Sequence, residues 1–117
     1  EEAVQHLRAA MASNPFYPTW YLNSYSISLR ALGRLDEALE VADVVIGREP
    51  THLQSRLTRA FVCQQKGQFP QARAAISEVQ RIAPNFRAQH LHGLLMLKDQ
   101  AEIERVAAGL RAAGLPD

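Results

Sequence analysis

Apolar residues recur along the chain at intervals of three and four, a spacing that places them on one face of an α-helix. Between residues 35 and 46 the apolar face includes Leu35, Ala38 and Ala42, while Asp36 and Glu40 share the opposite face. The same arrangement returns between residues 69 and 82. This pattern predicts an all-α protein with helices at about 1–13, 19–32, 36–48, 52–66, 70–82, 86–97 and 100–113.

Glycine and proline divide this helical pattern into units that repeat. Gly33 and Gly67 come just after helical stretches, where a residue with a left-handed backbone ends a helix at little steric cost. Pro50 and Pro84 follow the next helical stretches and prevent their continuation. The members of each pair stand 34 residues apart, so the unit is helix, glycine turn, helix and proline turn.

This unit resembles the tetratricopeptide repeat, a helix–turn–helix motif of 34 residues. The resemblance covers nearly the whole chain and implies antiparallel hairpins stacked as a short right-handed solenoid of about seven helices. In this family a small residue in each helix lets the two helices of a unit approach closely, and here the pairs are Ser26 with Ala38 and Ala60 with Ala72. The repeat-defining residues are Gly33, Ala38, Pro50, Ala60, Gly67, Ala72 and Pro84.

The repeats divide residues 1–117, interpreted as a single domain, into four parts. Residues 1–15 match only the second half of a repeat, and 16–50 and 51–84 are full repeats. Residues 85–117 lack the glycine turn, and we predict that they form a C-terminal capping hairpin that covers the last apolar surface. Because a stack should not begin on half a unit, we expect the chain to be a fragment of a longer protein.

Two stretches resemble a narrower group of proteins. NPFYPTWYL at residues 14–22 and KDQAEIERVAAGLRAAGLPD at residues 98–117 are similar to the C-terminal repeat region of bacterial class III adenylate/guanylate cyclase-like proteins. Related repeat tails also follow winged-helix regulator domains. The resemblance implies a bacterial signalling protein as the parent, although neither a cyclase domain nor a winged helix is present in this sequence.

The second repeat departs from the family pattern in its first helix. The family favours bulky apolar residues four and seven places into that helix, but Arg56 and Arg59 stand there. We expect these arginines either to reach the acidic face of the preceding helix, at Glu40 or Asp43, or to be solvated.

Composition argues against several classes of function. The chain carries 13 basic and 12 acidic residues, so no strong field attracts nucleic acid or an anionic membrane. No apolar run approaches the roughly 18 residues that span a bilayer. A single cysteine, Cys63, excludes an intrachain disulfide and fits a reducing cytoplasm. We therefore expect a cytoplasmic domain that binds neither nucleic acid nor membranes.

No group of side chains predicts catalysis, a metal site or a cofactor site. His90 and His92 are two residues apart on a predicted helix, whereas metal-binding pairs on helices usually sit four apart. Cys63 falls at a core-facing position, where a buried and inert thiol is the expected state. The acidic face between 36 and 43 lacks the glycine turn that calcium loops require. We predict that the domain is not an enzyme and holds no cofactor.

Recognition by shape remains as the predicted function. In this family the first helix of each unit lines the concave side, and its positions two, five, nine and twelve usually face the groove. One subgroup clamps a partner's C-terminal carboxylate with Lys, Asn and Arg, and because only Asn23 is similar here, we expect no such clamp. The predicted concave surface consists of Trp20, Asn23, Ile27, Arg30, Gln54, Leu57, Phe61, Gln64, Ala88, Leu91 and Leu95.

An apolar strip runs through this predicted surface at Ile27, Leu57, Phe61 and Leu91. Such a strip suits an amphipathic helix or an extended peptide. The sequence fits equally well with some of these residues being core between units.

The leading hypothesis is a non-catalytic protein–protein interaction module. The alternative is a domain through which the parent, a cyclase or a winged-helix regulator, associates with itself. A homodimer would form through the N-terminal half repeat, whose apolar face at Val4, Leu7 and Met11 lacks its usual neighbour.

Overall fold

The computed structural model of the chain describes residues 18–91 and 100–117. These residues form helices and contain no strand, which confirms the all-α prediction for this part of the chain. A 3₁₀ turn spans Ala88–His90. The α-helices are α1 (Thr19–Ala31), α2 (Leu35–Arg48), α3 (Leu53–Gln65), α4 (Phe69–Ile82) and α5 (Gln100–Ala112). Their bounds differ from the predicted ones by about one residue.

The backbone itself repeats with the period of the sequence. Gly33 and Gly67 have φ angles of +80° and +76°, which side chains with a Cβ rarely adopt. Glu49 and Ala83, each directly before a proline, are extended with φ and ψ of −135° and 87° and of −134° and 80°. The predicted glycine turns and proline stops are therefore confirmed.

Small residues stand where the two helices of each hairpin meet. Ser26 and Ala38 are fully buried, and the Ser26 hydroxyl donates to the Ala38 carbonyl at 2.8 Å. Ala60 on α3 and Ala72 on α4 occupy the equivalent positions and are also fully buried. Side chains of one or two heavy atoms let the helices pack closely, as the sequence predicts.

Within residues 18–91 and 100–117, two apolar clusters hold the hairpins together. The first joins α1 and α2 and receives Val62 from α3, which ties the hairpins to each other. The second contains residues from α3, α4 and α5 together with Ala88 and Leu91. Full burial of each Leu, Ile, Val or Phe side chain contributes about 1.5–3 kcal/mol.

The two arginines of the second repeat reach different partners. Arg59 Nη1 lies 2.6 Å from Asp43 Oδ1, so one of the expected pairs is confirmed. Arg56 reaches other groups: its Nε donates to the Pro50 carbonyl at 2.8 Å, and its Nη1 lies 3.8 Å from Glu78 Oε1 on α4. The Arg59 pair is exposed and worth about 0–1 kcal/mol.

The third unit does not start as the regular helix predicted for 86–97. A 3₁₀ turn occupies its beginning, because the Ala88 N–H donates to the Pro116 carbonyl at 2.8 Å and the Arg87 N–H donates to His90 Nδ1 at 2.9 Å. The predicted helix is therefore wrong for 86–90. The remainder of that helix after Leu91, the helix predicted at 1–13 and the half repeat lie outside the described residues.

The C-terminal helix α5 contacts both full repeats. Its buried face contains Ile103, Val106, Ala107 and Leu110, as predicted. Among the described helices, α5 packs mainly on α3, and Glu102 near its start also reaches α1. In a regular repeat stack each unit contacts only its neighbours, so a contact between the last part of the chain and the first full repeat departs from that rule.

Candidate interaction surface

The helices α1 and α3 lie side by side and run in the same direction. Asn23 contacts Gln54 near their first turns, and Arg30 contacts Phe61 near their last turns, with the same offset in sequence. These two contacts bring Asn23 and Arg30 of α1 and Gln54 and Phe61 of α3 onto one face. We give the name α1–α3 face to the predicted groove positions of the two helices, which are Trp20, Asn23, Ile27, Arg30, Gln54, Leu57, Phe61 and Gln64.

An open cleft lies where α1 and α3 begin. Its volume is about 450 Å³, and Trp20, with an exposed fraction of 69%, stands at its edge. The Trp20 ring meets the Tyr21 ring edge-on at a centroid distance of 6.1 Å. The residues that line the cleft are Thr19, Trp20, Asn23, Glu49, His52, Leu53 and Gln54.

The polar floor of this cleft is held by hydrogen bonds. The buried Asn23 Nδ2 donates to Gln54 Oε1, which joins α1 to α3. Asn23 Oδ1 is buried and accepts no hydrogen bond from the described residues. A buried acceptor without a donor costs about 1–3 kcal/mol. His52 caps α3 because its Nδ1 accepts the Ser55 N–H at 3.3 Å, and this bond fixes the ring at the cleft.

Charged groups surround the Phe61 ring at the opposite end of the α1–α3 face. Arg30 and Arg105 place their guanidinium carbons 5.4 Å and 5.5 Å from the ring centroid, within cation–π distance. Glu102 makes two hydrogen bonds to Arg105, at 3.0 Å and 2.9 Å. The same carboxylate lies 3.7 Å from Arg30 Nη2.

Arg30 is the least satisfied charge of this group. Its side chain is only 2% exposed, and its Nε and Nη2 make no hydrogen bond to the described residues. Burial lowers the pKa of this guanidinium, while the Glu102 carboxylate raises it and the neighbouring Arg105 lowers it further. A buried cation that shares its nearest carboxylate with a second arginine is poorly compensated.

The predicted apolar strip is not an open surface. Leu57, Phe61 and Leu91 have exposed fractions of 2%, 1% and 0%, and they belong to the cluster shared with α4 and α5. These three side chains are interior residues, because α5 covers Phe61 and the apolar cluster of the second repeat and third unit encloses the others. Of the strip, Ile27 is half-buried.

The other predicted groove residues are placed as follows. Trp20, Asn23 and Gln54 come together at the cleft, and Arg30 contacts Phe61. Gln64 is half-buried and Ala88 is buried, while Leu95 lies outside the described residues.

Sequence reasoning did not identify the contribution of α5 to this face. Glu102, Arg105 and Gly109 all approach Arg30 or Phe61. One signal was present: Gly109 stands inside a helical pattern, where glycine costs about 1 kcal/mol and often has a packing reason. The pattern does not indicate which helix that glycine packs against.

Candidate metal-binding and thiol side chains in the described part of the chain are separated, paired with cations or buried. No group of three or more His, Cys, Asp or Glu side chains there could hold a metal ion. Asp36 and Asp43 pair instead with Lys66 and Arg59. Cys63 is buried, and this burial raises the pKa of its thiol, which disfavours the reactive thiolate.

The candidate ligand positions and the helix lengths add two further observations. His90 Nδ1 already accepts the Arg87 N–H, and His92 lies outside the described residues. Among the helices of residues 18–91 and 100–117, none has the length and hydropathy that crossing a membrane requires.

Comparison with models of known protein families gives a match. The family model described as the tetratricopeptide repeat matches residues 29–95, which is more than half of the chain. A search of curated proteins and a search of solved structures each found no match.

Proposed function

The chain belongs to the tetratricopeptide repeat family, and from that premise we propose that it binds a protein partner through the cleft of the α1–α3 face. Repeats of this family generally mediate protein–protein interaction and are typically not catalytic. The observation that carries the proposal is the exposed Trp20 at the edge of a cleft with a polar floor.

An exposed tryptophan at such a cleft is typical of a binding anchor. Tryptophan is enriched among the residues that dominate interface energies, because its large rigid ring becomes buried on binding. The polar floor at Asn23 and Gln54 supplies the directional contacts that fix a bound segment. The unsatisfied Asn23 Oδ1 lowers stability, and such costs are retained more often at functional sites than elsewhere.

The identity of the parent protein forms a finer part of the proposal. The stretches at 14–22 and 98–117 support a bacterial, cytoplasmic signalling protein of the adenylate/guanylate cyclase-like group. A winged-helix regulator is the alternative parent, and self-association of that parent is the alternative role. The proposed division into units at 1–15, 16–50, 51–84 and 85–117 applies to either parent.

A displayed-peptide library tests the proposed cleft directly. Peptides are selected on the chain, synthesised, and titrated against Trp20→Ala and Leu32→Ala. We expect Trp20→Ala to weaken binding about 30-fold, equivalent to about 2 kcal/mol, because it removes the anchor.

Leu32→Ala is the matched control, since Leu32 is 72% exposed at the far end of α1 and does not line the cleft. Both variants should melt like the parent chain, because substitutions of exposed side chains usually change stability by less than about 0.5 kcal/mol. If the peptides bind both variants equally well, the cleft is not their binding site.

A further inference from the structure

The helix α5 occupies one half of the α1–α3 face. Glu102 lies at Arg30 of α1, Gly109 two turns later lies on Phe61 of α3, and Pro116 beyond the helix accepts the Ala88 N–H. The helix therefore crosses α1 and α3 at their last turns. The cleft at their first turns remains open.

The seat of α5 on Phe61 depends on the absence of a side chain at Gly109. A Cβ at this position would lie 2.8 Å from Phe61 Cδ1 and 2.9 Å from Phe61 Cε1, closer than such atoms approach. Glu102 and Gly109 are seven residues apart, so they share one stripe of the helix. At one end of this stripe the Glu102 carboxylate faces Arg30. At the other end the missing side chain of Gly109 leaves room for the Phe61 ring.

The polar part of this seat is imperfect. Glu102 directs both of its oxygens to Arg105 and stays 3.7 Å from Arg30, beyond hydrogen-bond distance. The buried Arg30 guanidinium consequently keeps two nitrogens without a hydrogen bond to the described residues. A helix with a carboxylate closer to Arg30 would fit this seat better than α5 does.

We propose that α5 is a tethered ligand of the α1–α3 face, seated where an amphipathic helix of the partner docks. This inference rests on the proposed function, because it assigns the second half of the same face. The partner helix carries an acidic residue opposite Arg30 and, seven residues later, a glycine opposite Phe61. Binding of that helix displaces α5 and gives Arg30 a carboxylate within hydrogen-bond distance.

Tethering explains why the seat remains filled when no partner is present. A segment on the same chain acts at an effective concentration in the millimolar range, and α5 also buries Val106, Ala107 and Leu110 in the core cluster, so the seat is occupied. To displace α5, a partner must bind the face more favourably than α5 does at this effective concentration. α5 therefore sets a threshold of affinity for partners of this face.

A peptide of residues 100–117, labelled with fluorescein, tests the proposal in trans. The full chain with Gly109→Leu cannot seat its own α5, because the new side chain collides with Phe61. We expect this variant to bind the peptide about 100-fold more tightly than the parent chain does, since the intramolecular competitor is removed. The same peptide carrying Gly109→Leu should not bind.

Gly47→Leu is the matched control, because Gly47 is also within a helix but a Cβ there meets no atom within 4 Å. This variant should bind the peptide as weakly as the parent chain does. The proposal is refuted if the Gly109→Leu chain folds and fails to bind the peptide, or if the Gly47→Leu chain binds it equally well.

Hydrogen exchange on the unmodified chain provides a second, independent measurement. A displaceable α5 opens without global unfolding, so its amides should exchange at least about tenfold faster than those of α3 and α4. Equal protection of α5 and α3 would overturn the proposal even if the Gly109→Leu chain does not fold. Loss of the Trp20 effect refutes the cleft alone, whereas these outcomes refute the role of α5 alone.

Discussion

At the crossing of each hairpin, one small side chain decides how closely two helices pack. Ala60 has an exposed fraction of 0% and stands opposite Ala72 in the repeat alignment. Replacing Ala60 with leucine adds three carbon atoms to a filled crossing. We expect Ala60→Leu to lower the free energy of unfolding by about 1–3 kcal/mol, measured by urea denaturation.

Ala74→Leu on α4 controls for the size of the new side chain, because Ala74 is exposed. It should leave the free energy of unfolding within about 0.5 kcal/mol of the parent value. Equal denaturation midpoints for Ala60→Leu and the parent chain would contradict the assignment of this crossing.

At the scale of elements, glycine is favourable in a turn that needs a positive φ and unfavourable in the interior of a helix. Gly67 has a φ of +76°, so an alanine there is strained although its Cβ has open space. Gly47 lies within α2 and also has open space around a Cβ. We expect Gly67→Ala to destabilise by about 1–2 kcal/mol and Gly47→Ala to stabilise by about 0.5–1 kcal/mol.

Both changes add the same methyl group. The sign of the change in unfolding free energy therefore reports the backbone conformation at each position. Urea denaturation of the two variants beside the parent chain measures it. A common sign for both variants would argue against a left-handed turn at Gly67.

The sequence predicts those elements whose causes are local. The four helices of the two full repeats end at glycine turns and proline stops, and both signals act within a few residues of the helix end. The start of the third unit is set instead by a hydrogen bond from Ala88 to Pro116. No local pattern contains a bond between residues so far apart in sequence, and the predicted helix at 86–90 was wrong for this reason.

The candidate site shows the same division between local and tertiary causes. Repeat positions place Trp20 and Gln54 on one face, because the two first helices are equivalent by sequence. Periodicity gives the apolar face of α5 but not the surface that it covers. The burial of Phe61 could therefore not be predicted, because it depends on where α5 packs.

At the scale of the whole molecule, Phe61 joins three parts of the chain. Its ring contacts Arg30 of the first repeat and lies against Gly109 of α5. The residue itself belongs to the core of the second repeat. We expect Phe61→Ser to lower the free energy of unfolding by about 3–5 kcal/mol, because a fully buried ring is lost. Thermal and urea melts measure this effect.

Trp20→Ala is the comparison for this variant, since it also removes a large aromatic side chain but from an exposed position. It should melt like the parent chain. If Phe61→Ser melts like Trp20→Ala, then the ring contributes nothing to the core and α5 does not rest on it.

The chain contains a single tryptophan, and it stands exposed at the cleft. Its intrinsic fluorescence therefore reports on one end of the α1–α3 face and on little else. Because the indole is already in water when the chain is folded, global unfolding should change its emission only slightly. Burial of the same indole under a bound partner should shift the emission to shorter wavelength, so the chain carries its own optical sensor of occupancy.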